Sequence, residues 1–160
     1  MSVDYDTLAG SYDGLYAGEQ AAKHRAALEL APPAEPVLDA GCGTGLLLEL
    51  LDCYFVGLDL SAGMLKVARH RARGGDLVRG DARLMPFRDR CFGTVYSVTV
   101  AHEAPQLAGE VARVLRPGGR AVVTLLRKRL ELLPLLLREL PGAEVVDAEG
   151  LKDVLLVYRR

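Results

Sequence analysis

The stretch that most constrains the fold is Val37-Leu38-Asp39-Ala40-Gly41-Cys42-Gly43-Thr44-Gly45, a short apolar run breaking into a glycine-rich loop. Glycine carries no Cβ, so such a loop turns tightly and lets a ligand approach its backbone. A strand ending this way and leading into a helical segment opens a β-loop-α unit. More units follow. Residues 54–58, 77–79, 94–98 and 121–125 read as short strands, rich in β-branched or aromatic residues in most cases. Between them 46–51, 61–73, 106–115 and 130–140 read as helices, and 144–147 and 154–158 close the chain as two more strands. The alternation predicts an α/β fold: a doubly wound, mostly parallel seven-stranded sheet with helices on both faces.

Ahead of the sheet, 19–31 reads as a helix that Pro32, Pro33 and Pro36 bring to an end. The 160 residues suit one domain, with 1–35 as an N-terminal helical lid and 36–160 as the core. The formal net charge of -1 supplies no global field toward nucleic acid or an anionic membrane. No apolar run reaches the roughly 18–20 residues of a membrane span, and the acids Asp4 and Asp6 stand where a signal peptide would be basic. A cytoplasmic protein is expected. Cys42, Cys53 and Cys91 read as buried thiols, and no His/Cys spacing forms a zinc motif.

In sheets of this kind ligands bind beyond the carboxyl ends of the strands. The Gly-rich loop alone is compatible with a dinucleotide or with S-adenosyl-L-methionine, and two residues separate them. Leu46 stands where the dinucleotide pattern wants Gly or Ala, and Asp39 puts a carboxylate close to where a pyrophosphate would lie. That charge repels phosphate and suits an ammonium group. Asp59, ending the second strand, can accept hydrogen bonds from ribose hydroxyls. Asp81, after the third, can accept from an adenine amino group while the Ala82 N–H reaches a ring nitrogen.

Four ordered stretches, VLDAGCGTG (37–45), GLDLSAGMLKVAR (57–69), GDARLMPF (80–87) and EVARVLRPGGRAVV (110–123), resemble the class I, Rossmann-like S-adenosylmethionine-dependent methyltransferases, especially the small-molecule group that includes quinone-biosynthesis enzymes. The opening YDTLAGSYD (5–13) is similar to that group's N-terminal signature. The resemblance implies S-adenosyl-L-methionine as cofactor and a last strand antiparallel to the rest. It implies that Gly41 and Gly43 pass the methionine end with Asp39 organising the loop, that Asp59 holds the ribose, and that Leu60 and Met64 flank the adenine. Asp81 and Ala82 would read the adenine edge, Ser97 and Thr99 lie near the sulfonium, and Tyr12 belongs to a lid. Plainer readings stand beside these: Met64 as helix core, Tyr12 as an aromatic anchor.

The chain departs from its relatives in Phe92-Gly93 where they commonly have Phe-Asp, in a short 102–110 connection, and in lacking an insertion after the fifth strand. The open site this predicts is compatible with a macromolecular acceptor, with a homodimer that completes the pocket, or with closure by the N-terminal segment over a small molecule, the favoured reading. The sulfonium is already a good leaving group, so the protein's task is alignment and exclusion of water. A base is needed only if the acceptor must lose a proton. His102 is the candidate, against a solvated loop histidine; His24 and His70 read as surface residues. A non-catalytic cofactor-binding module and a nicotinamide-binding domain are the competing functions.

Overall fold

The computed structural model describes residues 3–160. Its seven strands, β1 (Val37–Ala40), β2 (Phe55–Asp59), β3 (Gly75–Arg79), β4 (Phe92–Ser97), β5 (Leu115–Leu126), β6 (Glu144–Val146) and β7 (Asp153–Arg159), form one sheet in the order β3-β2-β1-β4-β5-β7-β6. Neighbours from β3 through β5 run parallel, and β7 is antiparallel to both β5 and β6. Strand order reverses between β1 and β4, so the crevice expected for a ligand opens at their carboxyl ends.

Alternate strand residues face opposite sides of a sheet, and two apolar cores result. On one side α4 (Leu107–Val114) and α5 (Leu133–Glu139) pack through Leu107, Val111, Val114 and Leu136 onto Leu38, Val95 and Val123. On the other, α2 (Tyr12–Leu30) and a 3₁₀ turn at Leu48–Leu50 cover Val37, Phe55, Tyr96 and Val122. The remaining helices are α1 (Tyr5–Leu8) and α3 (Ala62–Ala68), each opened by a side-chain cap, Asp4 and Ser61 respectively.

Three elements differ from the expectation. The segment 46–51 makes only that 3₁₀ turn, because Leu47, Leu48 and Leu51 are all drawn into the core and Leu51 is already extended. The helix expected over 130–140 is split, with 3₁₀ structure over Arg127–Leu132, a non-helical Arg129, and a restart at Leu133 with Pro134 in the first turn. The N-terminal helix begins at Tyr12, and its buried positions are Gln20, Lys23, His24 and Ala27. Its second half is therefore part of the core layer, which leaves α1 and the first turns of α2 as the covering segment.

Gly93 explains itself. A Cβ there would lie 2.3 Å from the Ala34 carbonyl oxygen and 2.8 Å from Arg116 Nη2, so the Pro-rich linker passes where relatives carry a carboxylate.

Candidate cofactor and acceptor site

A cavity of about 430 Å³ opens at the carboxyl ends of β1, β2, β3 and β4. Gly41 and Gly43, Asp59, Leu60 and Met64, Asp81 and Ala82, and Thr99 all line it, with Tyr12 coming from α2. Gly41 and Gly43 hold φ of +86° and +54°, and a Cβ on Gly43 would meet no protein atom within 4 Å. The loop thus presents bare backbone to the cavity.

Asp59 anchors that loop. The Gly43 N–H donates to its Oδ2 at 2.8 Å and the Ser61 N–H to Oδ1 at 2.9 Å. Burial raises its pKa, with these donors pulling the other way. Two lone pairs per oxygen leave capacity for ribose hydroxyls. Asp81 is less free than expected. Arg83 clasps it through Nε at 3.0 Å to both oxygens and Nη2 at 2.6 Å, which holds the carboxyl below its usual range. An adenine amino group bound here would have to share this carboxylate with Arg83.

Asp39 sits beside a polar annex of about 30 Å³, walled also by Gln20 and His24 and sharing Tyr12, Gly41, Gly43 and Val98 with the main cavity. That is room for about two waters or one small polar head. Burial, then the charge of Asp59, pushes the Asp39 carboxyl up to about 8. His24 is 8% exposed, its Nδ1 is buried without a partner, and burial brings its pKa down to about 4. The expectation of a surface His24 is corrected here: a polar residue occupies the buried stripe of α2.

Thr99 is a β-branched residue held at φ +61°, which the surroundings must enforce. Its N–H donates to Thr124 Oγ1 at 2.8 Å, and its Oγ1 accepts from Gln20 Nε2 at 3.2 Å and Lys23 Nζ at 3.1 Å. Lys23 is itself fully buried, 2.9 Å from Asp153 Oδ1 and 3.1 Å from Glu19 Oε1.

Besides Asp39, which lines only the annex, two expected residues do not reach the cavity wall. Ser97 is fully buried and its Oγ donates to the Ala40 carbonyl at 3.0 Å, joining β4 to the end of β1. The His102 ring turns inward, with Nδ1 buried and unpartnered and burial lowering its pKa; Nε2 lies 3.6 Å from Glu103 Oε1. Glu103, its neighbour, lines the cavity with Tyr5, Val100 and Ala104. The sequence held no signal for these four beyond their place after a strand or in the N-terminal segment.

Three polar tethers seat the covering segment on the rim. Tyr5 OH donates to Glu103 Oε1 at 3.0 Å. Asp6 accepts from Ser61 Oγ and, at 2.8 Å, from the Gly63 N–H. Asp13 accepts from Thr44 Oγ1 and pairs with Arg71 Nη2, both at 2.6 Å. The Tyr12 ring packs on Tyr16 at 5.0 Å between centroids, and burial raises its pKa to about 12.

A mostly parallel sheet with this strand order, an acid at the end of β2 and a small polar annex beside a bare glycine loop define the class I S-adenosylmethionine-binding fold. The donor set fits that cofactor: backbone for close approach, Asp59 for hydroxyls, and a buried Asp39 suited to an ammonium. The family model described as methyltransferase domain matches residues 38–123, and the chain belongs to that family. It is 38% identical over 119 residues, 68% of this chain and 44% of the relative, to phthiotriol/phenolphthiotriol dimycocerosates methyltransferase 1 of Mycobacterium ulcerans. It is 39% identical over 135 residues, 79% of this chain and 51% of the relative, to malonyl-[acyl-carrier protein] O-methyltransferase of Herminiimonas arsenicoxydans. The chain thus spans about half the length of these curated relatives. In fold it is similar to a Thermotoga maritima S-adenosylmethionine-dependent methyltransferase, possible histamine N-methyltransferase, with TM-score 0.76, 18% identity and 97% of each chain covered. Among the described residues no helix is long and apolar enough to cross a membrane, and no cluster of three or more His, Cys, Asp or Glu is arranged to hold a metal ion.

Proposed function

We propose that this chain transfers a methyl group from S-adenosyl-L-methionine to a small-molecule acceptor in the cytoplasm. When bound, the cofactor supplies the methyl group as a sulfonium and leaves as S-adenosylhomocysteine. The chain's own residues do the rest. Asp59 holds the ribose, Leu60 and Met64 pack on the adenine, and the Gly41–Gly43 loop with Asp39 receives the methionine end. Tyr5 and Tyr12 exclude water from the cavity. Where the acceptor must lose a proton, a base role for His102 requires its inward-turned ring to swing toward the cavity that its neighbour Glu103 lines.

The observation that carries the small-molecule reading is the roof. Tyr5, Asp6 and Asp13 fasten the segment before α2's buried half across the rim, so no second subunit is needed to cover the site. Methyl-labelled S-adenosylmethionine incubated with size-separated fractions of a cell extract tests it. Label is expected in the low-molecular-weight fraction. Label confined to protein or RNA contradicts the acceptor class, and no transfer by protein that binds the cofactor favours a regulatory module.

A further inference from the structure

We propose that the wall made by Tyr5, Val100, Glu103 and Ala104 is an acceptor subsite that takes an apolar molecule bearing a hydroxyl group in preference to an anionic one, and that the Glu103 carboxylate recognises that hydroxyl. The proposal rests on the cofactor reading above. Once Asp59, Leu60, Met64, Asp81 and the glycine loop are given to the cofactor, Tyr5, Val100, Glu103 and Ala104 are among the lining residues left for an acceptor.

Its chemistry is specific. Val100 and Ala104 are partly buried against the apolar core and offer no polar side-chain atom. Glu103 is the charged side chain of this wall, and the cation that lines the cavity elsewhere, Arg83, is taken up by Asp81. An anionic ligand at this wall would meet the Glu103 carboxylate, and like charges brought together disfavour binding. A hydroxyl meets an acceptor already shown to take one. The Tyr5 phenol donates to Glu103 Oε1 at 3.0 Å inside the cavity, so the chain's own phenol displays the contact a hydroxylated ligand would make. The two oxygens of a carboxylate accept about four hydrogen bonds, which leaves room for a second hydroxyl beside that of Tyr5.

The neighbouring histidine keeps the carboxylate available. His102 Nε2 lies 3.6 Å from Oε1, too far for a hydrogen bond, and burial disfavours the charged imidazole that would otherwise neutralise Glu103 as an ion pair. Nearly half of the Glu103 side chain is exposed, so its replacement should leave the fold intact.

The test uses the whole chain saturated with S-adenosylhomocysteine and two probes sharing one ring system, 1-naphthol and 1-naphthoate, titrated calorimetrically at neutral pH. The hydroxyl probe is expected to bind at least ~10-fold more tightly, the scale of one charge-assisted hydrogen bond gained and one repulsion avoided. Glu103→Gln, similar in shape and without the charge, should remove most of that preference, and Glu103→Lys should invert it, each measured at saturating S-adenosylhomocysteine. Absence of 1-naphthol binding, equal binding of both probes by the wild type, or a preference that survives Glu103→Gln overturns the proposal. Failure to bind S-adenosylhomocysteine in the first titration is a separate result and strikes the cofactor reading instead.

Discussion

Lys23→Met should unfold the protein more readily than any other single change on α2. The Lys23 and Asp153 side chains are both fully buried, with the ammonium 2.9 Å from Oδ1 outside hydrogen-bonding angles, so neither Asp153 oxygen receives a directed hydrogen bond. Methionine keeps the length of the side chain and deletes the cation, which strands a buried carboxylate. Breaking a buried pair from one side costs about 3–5 kcal/mol. In a domain of this size each kcal/mol moves Tm by roughly 2–4 °C, so a fall of roughly 6–20 °C is expected. Glu19, the other partner, keeps 29% of its side chain exposed and adds little. The same physics says that the pair as a whole gains little over apolar packing. The double variant Lys23→Met/Asp153→Leu should therefore be more stable than either single one. Thr99 also loses its Lys23 donor, so S-adenosylhomocysteine affinity should fall in the folded single variant. Thermal and urea melts of the three variants provide the check. A Lys23→Met protein within ~1 kcal/mol of wild type, or single effects that simply add, would refute the reasoning.

Other outcomes follow from the site. Asp59→Ala should weaken S-adenosylhomocysteine binding by at least ~10-fold, since charge-assisted bonds contribute about 1.5–3 kcal/mol each; unchanged affinity in calorimetry would reduce the acid to a loop anchor for Gly43 and Ser61. Asp39, held at about 8, is protonated in the empty site at neutral pH, and a ligand ammonium should draw off that proton. Titrations at pH 7 in buffers of different ionisation enthalpy should show proton release that Asp39→Asn abolishes. The raised folded-state value also means that the stability tied to Asp39 is complete below about pH 4 and is lost as pH rises through about 8. His24, held at about 4, opposes this only below pH 6.5, so the decline should be plainest between 6.5 and 8. Hydrogen exchange over residues 5–16 should slow when S-adenosylhomocysteine binds, and Tyr12→Ala should weaken that binding; equally fast exchange with normal binding would leave the site open to solvent.

The sheet was legible because its signal is local: short strands, the first three running into a glycine or an acid, put Asp59 and Asp81 where the structure has them. The N-terminal helix was only half legible. Its buried stripe is Gln20, Lys23, His24 and Ala27, at helical spacing but mostly polar, and hydrophobic periodicity is blind to such a face. What buries it is a charge network to Asp153, which lies far along the chain and cannot be paired from spacing alone. His102 and Glu103 show the limit at side-chain scale. Both follow β4, and the backbone turn at 101–103 sends the histidine inward and the glutamate to the cavity. Gly93 is a departure whose reason, the nearby Ala34 carbonyl, exists only in three dimensions.

Calorimetric titration of the purified chain with S-adenosylhomocysteine, and separately with NADH, tests the central claim most directly. One binding site for S-adenosylhomocysteine and none for NADH is the predicted result. Binding of NADH with no response to S-adenosylhomocysteine would contradict the assignment of the cavity and every role derived from it.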